Sequence, residues 1–263
     1  MAAQSPIMTL MIRAAEKASR NLLRDFNEVE QLQVSRKGPG DFVTAADRRA
    51  EEIIFGELQK ARPDWSFMME EGGRVKGNDP DHVWIIDPLD GTHNFMHGIP
   101  HWSISIALER KGEVIAGLVY DCAKDEMFTA EKGGGAWLRN RRLRVSGRNN
   151  LEQCMVNYGQ PKGDKETRDR FYREVRAVSD VSPMVRRFAS AALDLAYVAA
   201  GRIDGYFERF VHPWDVAAGI LLVKEAGGFV TGIEKDDNPV HSGNLVAGNP
   251  QVHSDIRKLL KSL

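Results

Sequence analysis

Apolar residues follow two different periods along this chain, and their alternation predicts a fold class. Between Ile7 and Leu22 they lie three or four positions apart, as on one face of an amphipathic helix. The same spacing predicts helices over residues 6 to about 30, 45 to about 60, 164–180, 190–201 and 214–228. Short apolar runs predict strands over residues 65–70, 82–87, 102–110, 113–121, 183–188 and 202–210. Helices that alternate with apolar strands indicate a layered α/β fold.

Turn-forming residues separate these elements. The segment KGPGD at 37–41 predicts a loop, and TAAD shortly after it is a capping-box pattern with Asp47 at the third helical position. Near residue 150 the pattern changes from mostly strands to alternating helices and strands. We therefore expect one domain over residues 1–263, in two halves of about 1–150 and 151–263.

Composition and charge narrow the function classes. With 36 basic and 37 acidic residues, the net charge is −1, so no global field attracts nucleic acid or an anionic membrane. No apolar run approaches the roughly 18 residues that span a bilayer, and early charges such as Arg13 and Lys17 argue against a signal peptide. Cys122 and Cys154 do not make a disulfide framework. A cytoplasmic protein is the simplest expectation.

The segment WIIDPLDGT (84–92) carries the candidate chemistry. Its apolar run predicts a buried strand that stops at Asp87, because Pro88 cannot donate to a sheet. Asp90 follows one tight turn later, so both carboxylates can point into one crevice beyond the strand end. Two such carboxylates either share a proton or bind a hard cation such as Mg²⁺. Asp-Pro and Asp-Gly are also ordinary turn pairs, so a plain turn stays open at this point.

Longer segments resemble a known family. WIIDPLDGTHNFMHGIP and WDVAAGILLVKEAGG are similar to the two signatures of the inositol monophosphatase family, and DFVTAAD, MEEGG and SAALDLAYVAAGRIDGYFE resemble other family segments in the family's order. The resemblance spans roughly residues 36 to 230. It implies an αβαβα layered sandwich and a lithium-sensitive phosphatase with two or three Mg²⁺ ions. It also implies a homodimer that hydrolyses small phosphorylated polyols, most typically myo-inositol monophosphate.

The resemblance also implies roles for individual residues. Glu70, Asp87 and the Leu89 carbonyl would hold the first metal, and Asp87, Asp90 and Asp215 the second, with a third, weaker ion near Glu70. Glu70 and Thr92 would position the attacking water, with Asp47 supporting Thr92. The amides of Gly91 and Thr92 would bind phosphate. The hydroxyl contacts implied for the polyol are Asp90, Ala191 and Glu208. Most metal ligands would thus lie in the first half, and Asp215 and the substrate contacts in the second.

Five features depart from the family pattern without removing a metal ligand. One is the absence of the customary Asn-Gly hairpin turn at Arg139-Asn140, and the other four are single positions. Met69 and Ala189 stand where glycine is usual, Gly72 where serine is common, and His93 where a small residue is usual. Ala189 and His93 flank the implied pocket, so the precise substrate stays open.

Two groups of alternatives therefore remain. Fructose-1,6-bisphosphatase, bisphosphate nucleotidase and histidinol-phosphate phosphatase activities are rivals within the superfamily. A binding module for RNA or a protein partner is the alternative of another class, and the arginine-rich segment RNRRLRVSGR (139–148) is its sequence support. That segment has no stacking aromatic residue, and its alternation at 142–145 favours a half-exposed strand, so nucleic-acid binding is the weaker expectation.

Overall fold

The computed structural model describes residues 5–28, 34–38, 41–161, 163–234 and 238–263. In these residues the helices are α1 (Pro6–Asn27), α2 (Ala45–Ala61), α3 (Thr92–Met96), α4 (Lys165–Val181), α5 (Ala191–Ala199), α6 (Pro213–Glu225), α7 (Pro239–Ser242) and α8 (Pro250–Lys261), with a 3-10 turn at Leu151–Gln153. The first strands are β1 (Val34–Gly38), β2 (Asp41–Thr44), β3 (Ser66–Met69), β4 (Gly73–Val75), β5 (His82–Asp90), β6 (Ser103–Arg110), β7 (Glu113–Asp121) and β8 (Glu126–Glu131). The remaining strands are β9 (Gly135–Leu138), β10 (Arg141–Arg142), β11 (Met155–Tyr158), β12 (Met184–Arg186), β13 (Gly205–Arg209), β14 (Phe229–Thr231) and β15 (Asn244–Gly248).

Two large sheets and three helical layers build the described part of the molecule, and β1 and β2 pair as a separate two-stranded sheet. An eight-stranded sheet has the order β10-β9-β8-β7-β6-β5-β3-β4, and a five-stranded sheet has the order β12-β11-β13-β15-β14. Helices α1 and α2 contact the outer face of the first sheet, α5 and α6 contact both sheets, and α4 and α8 contact the second sheet from its other side. The layer order is therefore αβαβα, which confirms the predicted fold class.

Three apolar clusters hold the five layers together. The first lies between α1, α2 and the eight-stranded sheet, and includes Leu22, Ile54 and Trp84. The second surrounds α5 and α6, whose sequence is apolar on nearly every side because each helix is covered by sheets on two sides. The third lies under α4 and α8, beside Phe207. No helix among the described residues is both long and apolar enough to cross a membrane.

Most predicted elements are confirmed, with differences at their ends. The strand predicted to stop at Asp87 in fact continues to Asp90, so that prediction is wrong. Pairing with β6 is irregular between Asp87 and Asp90, and the chain resumes a sheet contact at Asp90 after passing Pro88. The loop predicted at 37–41 is also wrong at both ends, since β1 reaches Gly38 and β2 begins at Asp41; residues 39–40 lie outside the described residues.

The first helix ends at Asn27 rather than near residue 30, and the strand predicted over 183–188 shortens to β12. The first sheet is formed from residues 66–142 and the second from residues 155–248. The grouping of the chain into two halves near residue 150 stays a prediction.

Candidate active site

A cleft of about 940 Å³ opens at the end of β5 and the start of α5 and α6. It is lined by nine of the residues for which the family resemblance implies a role: Glu70, Asp87, Leu89, Asp90, Gly91, Thr92, Ala191, Glu208 and Asp215. Asp47 does not line the cleft but lies buried behind it, with its carboxyl Oδ1 3.4 Å from the Thr92 hydroxyl. The fold therefore collects these residues from six elements, namely α2, β5, α3, α5, β13 and α6, and from positions that flank them.

Asp87 and Glu70 meet because β3 and β5 are parallel neighbours. Glu70 directly follows β3, and its amide donates to the Ile86 carbonyl at 3.2 Å. Asp87 is 1% exposed, and its Oδ1 accepts from the Leu89 amide at 2.9 Å. Burial raises the pKa of Asp87 well above its usual range, and the carboxylates of Glu70, Asp90 and Asp215 raise that pKa further. Negative charge is thus concentrated at this strand end.

Asp90 joins the first sheet to the start of α5. Its Oδ2 accepts from the Ser190 hydroxyl at 2.6 Å and from the Ala192 amide at 2.8 Å. These donors are about 100 residues away in sequence, and they lie at the positive end of the helix dipole. Burial raises the pKa of Asp90 to about 6, while the hydrogen bonds from Ser190 and the α5 amides act to lower it.

Asp215 reaches the cleft from the first turn of α6. The helix begins at Pro213, and the Asp215 carboxylate accepts from the His212 amide at 2.7 Å as part of a capping box. The capping role and the place in the cleft are therefore combined in one side chain. Burial raises the pKa of Asp215 well above its usual range, and Asp90 is the next largest cause.

A tight backbone segment joins β5 to the short helix α3. Gly91 has φ +93°, a conformation that glycine adopts readily, and a Cβ there would lie 3.1 Å from the His101 carbonyl. The Thr92 hydroxyl lies 3.1 Å from the Leu89 carbonyl and 3.4 Å from Asp47. Since a hydroxyl carries one hydrogen, Thr92 donates to one of these two acceptors at a time.

The second sheet and α5 also line the cleft. Glu208 lies on β13, and the Tyr206 hydroxyl donates to its Oε2. Burial raises the pKa of Glu208 to about 7; the bond from Tyr206 acts to lower it, and Asp90 acts to raise it. The exposed Arg187 side chain also lines the cleft and favours ionised Glu208.

Sequence reasoning missed several lining residues. Ser190, Arg187 and Gly159 all lie in the cleft, and so does Asp194, whose Oδ1 accepts from Asn157 at 2.7 Å. Burial is the main reason why the pKa of Asp194 lies well above its usual range, and the negative charge of Glu208 is the next. The serine before the apolar run AALDLAYVA was a visible helix-cap signal. Nothing in the local sequence indicated that its hydroxyl would bind Asp90.

Comparisons with known proteins agree over nearly the whole chain. A model of the inositol monophosphatase family matches residues 3–263. The inositol-1-monophosphatase of Mesorhizobium japonicum is 51% identical over 98% of this chain and 97% of its own length. The Nus factor SuhB of Escherichia coli K12 is 42% identical over 94% of this chain and 92% of its own length. The crystal structure of the extragenic suppressor protein suhB from Bartonella henselae is 50% identical, with a TM-score of 0.94, and covers 98% of this chain and 99% of that chain.

Proposed function

This chain belongs to the inositol monophosphatase family, and we propose that it hydrolyses myo-inositol monophosphate or a closely similar polyol phosphate with Mg²⁺ as cofactor. The products are the free polyol and inorganic phosphate. The observation that carries the proposal is the cleft itself, which is lined both by the carboxylates around Asp87 and by Glu208 of β13. The carboxylates around Asp87 have the charge to bind cations, and Glu208 offers an acceptor for hydroxyl groups.

The donor set fits a hard cation. All the side-chain donors around Asp87 are carboxylate oxygens, which Mg²⁺ prefers over softer ligands. The strongest charged neighbours of Asp87 are three other carboxylates, so a divalent cation would remove their mutual repulsion. Among the described residues, no three His, Cys, Asp or Glu side chains converge into a preformed metal centre. The proposal therefore rests on donor chemistry and charge.

The residues clustered around Asp87 each have a proposed role. Glu70, Asp87 and the Leu89 carbonyl would hold one ion; Asp87, Asp90 and Asp215 would hold a second; a third, weaker ion would lie near Glu70. When bound, Mg²⁺ supplies Lewis-acid polarisation of the phosphoryl group and lowers the pKa of a water. Glu70 and Thr92 orient that water, and Asp47 holds Thr92 from behind.

Different residues of the cleft would bind the phosphate and the hydroxyl groups of the substrate. The amides of Gly91 and Thr92 bind the phosphate, and Gly91 permits their close approach because it has no side chain. Asp90, the Ala191 backbone and Glu208 contact the hydroxyl groups. The Oδ2 of Asp90 accepts from Ser190 and the Ala192 amide, which holds the carboxylate in place for its ligands.

Substitution of Glu208 tests whether the cleft recognises a polyol phosphate. Glu208→Ala should raise KM for myo-inositol 1-phosphate, because a hydroxyl acceptor is lost, while glycerol 2-phosphate, which lacks the ring hydroxyls, changes little. Initial rates with both esters at saturating Mg²⁺ measure this. Equal losses for the two esters would remove Glu208 from substrate recognition and with it the polyol preference.

Three further properties belong to the proposal. The protein would be a cytoplasmic homodimer, and Li⁺ at millimolar concentration would inhibit it by replacing Mg²⁺ at the Asp87, Asp90 and Asp215 position after hydrolysis. Rates measured with LiCl against a matched NaCl control test the last property. Unchanged rates in tens of millimolar Li⁺ would show that this position excludes the monovalent ion.

A second function is favoured by one relative. A protein 42% identical to this chain is named Nus factor SuhB, which supports a binding role for RNA or a protein partner beside hydrolysis. The exposed Arg141 and Arg142 of β10 are the matching surface feature. A binding role should survive Asp87→Asn, whereas hydrolysis should not. Loss of both together would tie binding to the cleft.

A further inference from the structure

Strand β13 presents two polar side chains to the cleft side of the second sheet. Tyr206 and Glu208 are two residues apart, so they lie on the same face of the strand. Tyr206 packs into the central apolar cluster around α5 and α6, whereas Phe207 between them packs into the cluster beneath α8. The face that carries Glu208 into the cleft is therefore the face on which Tyr206 is anchored.

The Glu208 carboxylate is held from two sides. On one side, the hydroxyl of Tyr206 donates to Oε2, and the Tyr206 ring is 0% exposed. On the other side lies the bare Cα of Gly159, where an added Cβ would come within 1.8 Å of the carboxylate carbon of Glu208. Gly159 is itself fixed to β13, since its amide donates to the Phe207 carbonyl at 3.2 Å.

The surroundings of the Tyr206 hydroxyl keep it protonated, so that it can always donate a hydrogen bond. Burial raises its pKa well above the usual range, and the acids Glu208, Asp194 and Asp90 act in the same direction. Asp194 accepts from Asn157 on the neighbouring strand β11, which fixes the first turn of α5 beside the tyrosine. The position of the ring and the direction of its hydroxyl are therefore both set by the fold.

We propose that Tyr206 is a positioning residue for substrate discrimination, which holds Oε2 of Glu208 so that Oε1 accepts a hydrogen bond from a polyol hydroxyl. The inference rests on the proposed function, because it deepens the role given to Glu208. Without the tyrosine donor, the carboxylate would have to be ordered by each substrate molecule. That ordering cost falls on substrate and transition state equally, so it raises KM and leaves kcat unchanged.

Tyr206→Phe tests the inference, and the chain offers a matched control. Tyr120 is also buried and donates to a carboxylate, Asp125, at 2.9 Å, but it does not line the cleft. We expect Tyr206→Phe to raise KM for myo-inositol 1-phosphate by about three- to tenfold, the range for one lost hydrogen bond. Its kinetics with glycerol 2-phosphate should change by less than about twofold, and Tyr120→Phe should change neither substrate. Equal losses for both esters, or no change, would overturn the inference.

Two additional variants keep the outcome decisive. Gly159→Ala pushes the carboxylate away from the opposite side without removing any polar group, so it should raise KM for the same ester selectively even if Tyr206→Phe does not fold. In the double variant Tyr206→Phe/Glu208→Ala, the tyrosine change should add nothing to the loss from Glu208→Ala alone. An additive loss would mean that Tyr206 acts elsewhere, and would overturn the inference.

Glu208→Ala, measured in parallel, separates the two possible failures. If it discriminates between the esters and Tyr206→Phe and Gly159→Ala do not, the positioning role is wrong and the proposed function stands. If Glu208→Ala does not discriminate, recognition through Glu208 is wrong and the tyrosine inference is wrong with it.

Discussion

At the scale of single residues, the Asp90 carboxylate is fixed by contacts with α5. Its Oδ2 accepts from Ser190 and the Ala192 amide, which hold the side chain against the start of the helix. We propose that the same carboxylate also contacts the ligands of the cleft. Since these donors lower the pKa of Asp90 while burial raises it, the side chain is kept both ordered and close to ionised at neutral pH.

The backbone of Ala189, next to Ser190, adopts a strained conformation. It has φ +64°, a left-handed conformation that costs an L-residue with a Cβ about 1–2 kcal/mol. Ala189→Gly should therefore raise the free energy of unfolding by about 0.5–1 kcal/mol, after the greater entropy of unfolded glycine is subtracted. Urea denaturation measures this. As the control, Ala196→Gly in the buried interior of α5 should lower stability by about 1 kcal/mol. A lower stability for Ala189→Gly would contradict the strain.

Individual residues also show which features of the site could be predicted from the sequence. Asp87 and Asp215 were predictable as candidate ligands because strand ends and helix starts are local features with local signals. The roles of Ser190, Tyr206 and Gly159 were not, because each depends on a partner brought near by the fold. The Ser190–Asp90 contact, for example, joins positions 100 residues apart.

At the scale of secondary-structure elements, the position of Asp215 depends on how closely α6 packs on α5. Gly219, one turn after Asp215, permits this packing: a Cβ there would lie 2.5 Å from the Leu195 Cβ of α5. On the other side of α6, Gly117 of β7 allows the sheet to approach, since its Cβ would lie 3.0 Å from the Cα of Ala218. Two glycines on different elements thus set where the helix starts.

Gly219→Ala should therefore move α6 and disturb the site. Overpacking of this kind costs about 1–3 kcal/mol of stability, and displacement of Asp215 should lower kcat/KM about ten- to hundredfold. Gly56→Ala in α2 is the matched control, because an added Cβ there meets nothing within 4 Å. It should raise stability by about 0.5–1 kcal/mol and leave turnover unchanged. Thermal unfolding and initial rates on both variants decide this, and equal behaviour of the two would refute the packing argument.

The elements themselves were predictable to different degrees. Amphipathic α1 and apolar α6 have strong periodic signals, and both were placed within a few residues of their bounds. The continuation of β5 past Pro88 was not predictable, because Pro88 falls where the pairing with β6 is irregular and no ladder bond is needed there.

At the scale of the whole molecule, burial of the cleft carboxyl groups makes stability depend on pH, and the proposed Mg²⁺ would change that dependence. The folded-state pKa of Asp90 is about 6 and that of Glu208 about 7, both above the values near 4 of an unfolded chain. Between these values the folded state binds more protons than the unfolded state, so this contribution to stability is present at low pH and is lost as pH rises to 7. A cation bound by the deprotonated carboxylates should restore the stability that is lost as pH rises.

The Mg²⁺-dependent increase in Tm should therefore grow as pH rises from 5.5 to 7. If one proton is displaced per cation, the growth is about 3–5 °C per pH unit for a chain of this size. Partial burial lowers the pKa of His101 to about 4, which makes stability rise with pH. This contribution is the same in samples with and without the cation, so it cancels from the difference in Tm. Calorimetry of chelated protein with MgCl₂ or NaCl at equal ionic strength measures this. A shift independent of pH would show that cations do not replace protons there.

Phosphate release from myo-inositol 1-phosphate by chelated protein, followed as Mg²⁺ is added, tests whether Asp87 makes this cleft a cation-dependent phosphatase site. Asp87 is 1% exposed and surrounded by carboxylates, so the near-isosteric Asp87→Asn keeps the shape and removes the charge. We expect no turnover by the wild-type protein without the cation, full turnover after Mg²⁺ is added, and no turnover by folded Asp87→Asn at any Mg²⁺ concentration. Turnover in the presence of the chelator, or a variant that keeps more than about a tenth of the wild-type rate, would show that Asp87 does not have this role.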